Sequence, residues 1–129
     1  MSSSKSGDFE QRIAKPLDTI FTQHRMKMYI ILKDNIPDQL VPVICAHASL
    51  ACYKKYENNE DMIKWMNGIF KKVVCIVDEI DFDKYKNEAD SILLTESSLD
   101  NREVCLAFCP REEYPKKFKF LKMWTPQNN

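Results

Sequence analysis

The chain has 129 residues, enough for one compact domain and too few for two. Apolar residues make up 44% of it and charged residues 29%, the balance of a chain that buries a real core. Lys plus Arg equal Asp plus Glu at 19 each, so no net field draws polyanions, and any nucleic-acid contact has to rest on a local basic patch.

Glycine occurs only at Gly7 and Gly68. Phosphate-cradling Walker loops and dinucleotide fingerprints need several glycines for close backbone approach, so both are excluded. The five cysteines, Cys45, Cys52, Cys75, Cys105 and Cys109, lack C-x-x-C spacing, and each sits in an apolar run where a thiol acts as a small hydrophobe. Cys105 and Cys109 share parity on a predicted strand, which also permits a two-ligand metal site. No zinc-finger, HExxH or EF-hand spacing occurs, so neither a metal nor another cofactor is expected. Reduced cysteines without a signal peptide or long apolar stretch lead to the expectation of a cytoplasmic protein with no membrane partner.

Along the chain, residues 1–7 are expected to be a polar disordered tail, and 8–24 a helical extension. Asp8 caps that extension, Phe9, Ile13, Leu17 and Ile20 recur at three- and four-residue spacing, and Pro16 kinks it. The domain proper spans 25–124, followed by a tail at 125–129. Met28–Leu32 is a continuous apolar run, the pattern of a strand covered on both faces. Asp34-Asn35-Ile36-Pro37 predicts a turn, and Asp38 the N-cap of a helix to about Tyr56 with Pro42 in its first turn.

A short second helix includes Met62, Ile63, Trp65 and Met66 and stops at Asn67-Gly68. Val73–Val77 is the second buried strand, about Asp81–Ala89 an acidic third helix, Ile92–Leu94 the third strand and Val104–Cys109 the fourth. The stretch 111–124 reads two ways. Pro110 before Glu112 and Glu113 favours a helix, and alternation of Phe118, Phe120 and Lys122 favours a strand. The fold class is therefore α/β, a single-domain sandwich with a small four-stranded mixed sheet covered by helices on both faces.

The segment Cys45-Ala46-His47-Ala48-Ser49-Leu50-Ala51-Cys52 puts one histidine among small residues on a helix that follows an apolar strand. It resembles the Q-x-x-H-A-A segment of the archaeal and eukaryotic type of peptidyl-tRNA hydrolase. The resemblance runs from Lys27 to Trp124. It takes in KMYIILKD as an opening strand, Trp65 and Gly68 before KKVVCIV, and VCLAFCP before a last helix. It implies hydrolysis of the ester joining a peptide to the terminal ribose of tRNA. That chemistry needs an activated water, a polarised carbonyl and donors for the oxyanion.

The family's lysine falls at Leu40, its glutamine at Ile44 and its later threonine at Val104, none of which can donate a hydrogen bond from its side chain. His47 is kept, and Glu96-Ser97-Ser98 stands nearest the family's D-A-G loop. The resemblance thus implies a divergent member with most of the catalytic set lost. His47 and Glu96 are its catalytic candidates, orienting water. Asp34 and Asn35, at the carboxyl end of the first strand where open α/β sheets bind ligands, and Arg102 are the ligand-binding candidates, with Arg102 or a backbone N–H steadying the oxyanion. The implied partner is a tRNA end or a small nucleotide-like ligand. The structural alternatives are a helix-face imidazole bonded to a backbone carbonyl, solvated loop charges, and an amphipathic C-terminal element with its aromatics in the core. A second reading, from the same losses, is a non-catalytic module that sequesters a small anionic ligand, docks a partner protein or forms a homo-oligomer.

Overall fold

A computed structural model describes residues 26–128; the expected tail at 1–7 and helical extension at 8–24 lie outside them. Among the described residues the order is β1 (Lys27–Lys33), α1 (Val41–Lys55), α2 (Glu60–Met66), β2 (Lys71–Val77), α3 (Glu79–Lys86), β3 (Ser91–Glu96), β4 (Arg102–Phe108) and β5 (Lys122–Met123). Short 3-10 turns occur at Asp38–Leu40, Ser97–Leu99 and Lys116–Phe120. The strands form one sheet in the order β3-β4-β1-β2-β5. β1 runs parallel to β2 and antiparallel to β4, and the β3–β4 and β2–β5 pairs are antiparallel.

β1 is central because each of Met28–Leu32 is buried. Its side chains alternate between two layers, as the period of two in a strand requires. Met28, Ile30 and Leu32 face α1 and α2, against Ile44, Ala48, Cys52, Met62 and Trp65. Tyr29 and Ile31 face the other layer, against Phe82 and Tyr85 of α3, Phe108 and Phe118. Fully burying side chains of this size contributes about 1.5–3 kcal/mol each. In α1 the inward positions include Ala48 and Cys52, whose small side chains let the helix axis come close to the sheet.

The mixed sheet flanked by helices agrees with the α/β expectation, but it has five strands where four were expected. The fifth comes from the ambiguous segment. Tyr114-Pro115 stops a helix from growing out of Pro110, since a residue before proline is pushed to extended backbone. The chain then makes one 3-10 turn, inserts Phe118 into the aromatic layer, and pairs Lys122 and Met123 with Ile76 and Cys75. Trp124 N–H donates to Val74 O at 2.8 Å and extends that pairing. Neither the expected last helix nor a full strand forms.

Asp38 does not cap α1. Leu40 is the N-cap and offers no side-chain acceptor, while the Asp38 carboxylate accepts from the backbone N–H groups of Gln127 and Asn128. The effective caps are Asn59 on α2 and Asp78 on α3, each accepting from backbone N–H groups of the first turn.

Candidate functional site

The strand directions put the carboxyl ends of β1, β2 and β3 and the amino end of β4 at one edge of the sheet. Open α/β sheets bind ligands at such ends. Past Lys33 the β1–β2 ladder gains one more bond, from Asp34 N–H to Val77 O at 2.9 Å. Asn35 then turns the chain with a left-handed φ of 63°, a conformation asparagine tolerates better than most residues.

Opposite it, β3 and β4 are joined by the 3-10 turn and two successive left-handed residues, Asp100 (φ 57°) and Asn101 (φ 58°). Asn101 N–H donates to Glu96 O at 2.9 Å, which closes the hairpin and sets Glu96 directly across from Arg102. The Arg102 Nη2 donates to Asn35 O at 2.8 Å and ties the two loops together. Asp34, Asn35, Glu96 and Arg102, drawn from three separate strand ends, are thus neighbours.

Glu96 is held from its own loop. The Ser98 hydroxyl donates to Glu96 Oε2 at 2.7 Å and the Ser98 N–H to the same oxygen at 3.2 Å. These two donors, with a smaller pull from the His47 charge, keep the carboxyl below the usual glutamate range. Glu96 therefore stays a carboxylate at neutral pH. His47 occupies the second turn of α1 and is exposed. Asp34, Asn35 and Arg102 line one cleft at this edge, whose lining includes neither Glu96 nor His47.

The positions that the resemblance gives to polar groups are filled with hydrocarbon. Ile44 and Val104 are buried in the layer under α1, and Leu40 packs against the same cluster. Those three side chains supply no donor for an oxyanion. The Ser98 hydroxyl donates to Glu96 rather than to the imidazole.

A cleft of about 410 Å³ opens beside Asp34, lined by Lys33, Asn35, Asp78, Glu79, Ile80 and Arg102 as well. Lys33 is spoken for, its ammonium 3.3 Å from the Glu79 carboxylate and 5.3 Å from the Phe82 ring centroid. Reading the sequence missed the contribution of Ser98, Asp78 and Glu79. The signal was present for Asp78: it follows a second buried strand, and a parallel neighbour of β1 ends at the same edge. Among the described residues no group of three or more His, Cys, Asp or Glu is placed to hold a metal ion. All five thiols are free, and those of Cys105 and Cys109 lie in the layer under α1. Among the described residues no helix is long and apolar enough to cross a membrane. Neither the scan against protein-family models nor the search of curated proteins finds a match to this chain.

Proposed function

We propose that the protein is a divergent relative of the archaeal and eukaryotic type of peptidyl-tRNA hydrolase that binds an aminoacyl-ester or nucleotide-type ligand at this sheet edge and has lost efficient hydrolysis. The observation carrying this reading is the Arg102–Asn35 hydrogen bond, which fixes a guanidinium beside Glu96 at the mouth of a cleft. Four of the guanidinium's five N–H donors remain for a carbonyl, ribose or phosphate oxygen. Asp34 and the Asn35 side chain supply acceptors and donors on the facing loop.

The loss of hydrolysis follows from Leu40, Ile44 and Val104. Deleting one oxyanion donor commonly costs on the order of 100- to 1000-fold in rate, and three polar groups are replaced. The test is a pair of measurements on the full chain. A non-hydrolysable amide analogue of 3′-aminoacyl-adenosine binds saturably, and Arg102→Ala weakens it roughly tenfold, as expected for one charge-assisted hydrogen bond. Labelled peptidyl-tRNA is hydrolysed no faster by the protein than by its His47→Ala variant. Absence of saturable binding refutes the ligand class; hydrolysis that depends on His47 refutes the loss of activity.

A second reading, a non-catalytic interaction module that assembles with itself, is favoured by one observation. The outer side of α1 and the α2–β2 loop expose Leu50 at 69%, Val43 at 49% and Ile69 at 48%. A helix apolar on both sides is ordinarily covered on both.

A further inference from the structure

The parallel register sets Lys27 beside Lys71 at the amino ends of β1 and β2, so Met26 and Phe70, the residues before them, meet at the same edge of the sheet. This edge is opposite the one that carries Asp34 and Arg102. Met26 is buried in the same cluster as Trp65, whose Nε1–H donates to Lys71 O at 2.8 Å. The path of the chain into β1 is thereby fixed close to the end of α2.

Phe70 takes a left-handed φ of 31°, which a bulky residue keeps only where its surroundings hold it there. Its ring centroid stands 5.8 Å from that of Trp65. The Lys72 ammonium lies 5.1 Å from both rings and donates to Phe70 O at 3.2 Å. These side chains, with Tyr53 of α1 and Met66 of α2, line a groove of about 340 Å³. Ser49 also lines it, and its hydroxyl donates to Ala46 O at 3.3 Å. The lysine and the serine are thus engaged within the protein, and what remains to meet an occupant is mainly aromatic and thioether surface. Ile63 lies one turn before Met66 on α2, and Ile63, Met66 and Phe70 are all exposed. Contiguous apolar surface of this kind marks a contact site.

The occupant is indicated by the sequence that leads into Met26. Phe9, Ile13, Leu17 and Ile20 carry an apolar helical periodicity, and this segment lies outside the described residues. Ile20 stands six residues before Met26, a span of at most about 20 Å. So short a tether holds the segment near the groove at an effective concentration of roughly millimolar. At micromolar protein it therefore reaches the groove ahead of the same segment from a second copy. We propose that residues 8–24 dock in this groove within their own chain, with Leu17 and Ile20 against Met66 and Phe70. The proposal is independent of the ligand reading, which concerns the opposite edge of the sheet.

The test uses the full chain with the photoreactive p-benzoylphenylalanine in place of Leu17, irradiated and mapped by mass spectrometry. The expected cross-link joins position 17 to the stretch 62–72 in a product of monomer mass, and its yield does not change on dilution. Phe70→Asn, which keeps a residue tolerant of left-handed backbone, removes most of that yield. Thermal melts give a second, independent readout. Leu17→Asp lowers the melting midpoint by several degrees in the parent and leaves it unchanged in the Phe70→Asn background, as coupled contacts require. A cross-link to another part of the chain, or none, overturns the proposal. Products of dimer mass overturn it as well and give the groove to a second copy. An equal fall in both backgrounds, or no fall in the parent, likewise overturns it. The adenosine analogue binds Leu17→Asp as it binds the parent, so the groove and the cleft readings fail separately.

Discussion

The two layers on either side of the sheet are built from different materials. Under α1 and α2 the core is mainly aliphatic and sulfur-rich, with Ile30, Leu32, Ile44, Met28, Met62 and four thiols in or against it and Trp65 as its buried aromatic ring. Under α3 it is aromatic, with Phe82 in the same layer as Tyr29, Tyr85, Phe108, Phe118 and Tyr114, whose rings meet largely edge to face. Both layers finish their aromatic polar ends internally: Tyr85 OH donates to Lys117 O at 2.9 Å and Tyr114 OH to Cys109 O at 2.7 Å on one side, and Trp65 Nε1–H to Lys71 O at 2.8 Å on the other. The aliphatic layer is sealed beneath α1 and apolar above it. Ring-to-ring contacts dominate one side of the sheet and aliphatic filling the other.

That contrast breaks most sharply at Phe118. Phe118→Ala removes the ring shared by the aromatic contacts and is expected to cost about 3–5 kcal/mol, read by urea unfolding. An effect below about 1 kcal/mol would show that the layer repacks like the aliphatic one.

A medium effect comes with pH and sharpens the comparison by chemistry. Burial pushes the thiols of Cys52 and Cys109 up to about 12 and that of Cys75 up to about 11, against an ordinary value of 9.0. Between those values the unfolded chain has released protons that the native chain keeps. Stability from these groups is therefore complete below about pH 8.5 and declines as pH rises toward 11. Thermal melts in reductant across that range should fall in Tm. Cys52→Ala should lessen the fall more than Cys75→Ala, since its thiol is shifted further.

The smallest change is expected on the outer side of α1. Leu50→Gln lies on a 69% exposed position and should alter stability by no more than about 0.5 kcal/mol. If that face joins a second copy, the same substitution lowers the molar mass seen by light scattering; an unchanged mass removes the self-assembly reading.

The central strand was legible in the sequence because MYIIL has apolar side chains at every position, which a strand buried on both faces alone explains. Asp34, Asn35, Glu96 and Arg102 were legible as residues flanking strands, but which strand ends meet depends on the sheet order, and the pocket expected beside Asp34, His47 and Glu96 was placed without it. Asp38 misled because a carboxylate before a helix has two uses, and here a bond to the distant residues 127 and 128 wins over the local cap. The segment 111–124 misled because alternation of Phe118 and Phe120 imitates a strand. In the structure one ring fills the core and the other leaves it, a split that depends on Tyr85 and Phe108 from elsewhere in the chain. Scarce glycine also hid the tight turns. Asn35, Asp90, Asp100 and Asn101 take the left-handed backbone that glycine usually supplies, and Phe70 does so at φ 31° with a bulky side chain.

The placement of β1 has a kinetic consequence. Its two neighbours arrive late along the polypeptide, Lys27 meeting Lys71 on one flank and Ile30 meeting Ala107 on the other. Closing such long loops precedes any reward from the contacts, so refolding is expected on the millisecond-to-second scale typical of nonlocal topologies. Until then the Met28–Leu32 run is unprotected, and dilute protein at low temperature is the condition under which renaturation outpaces association.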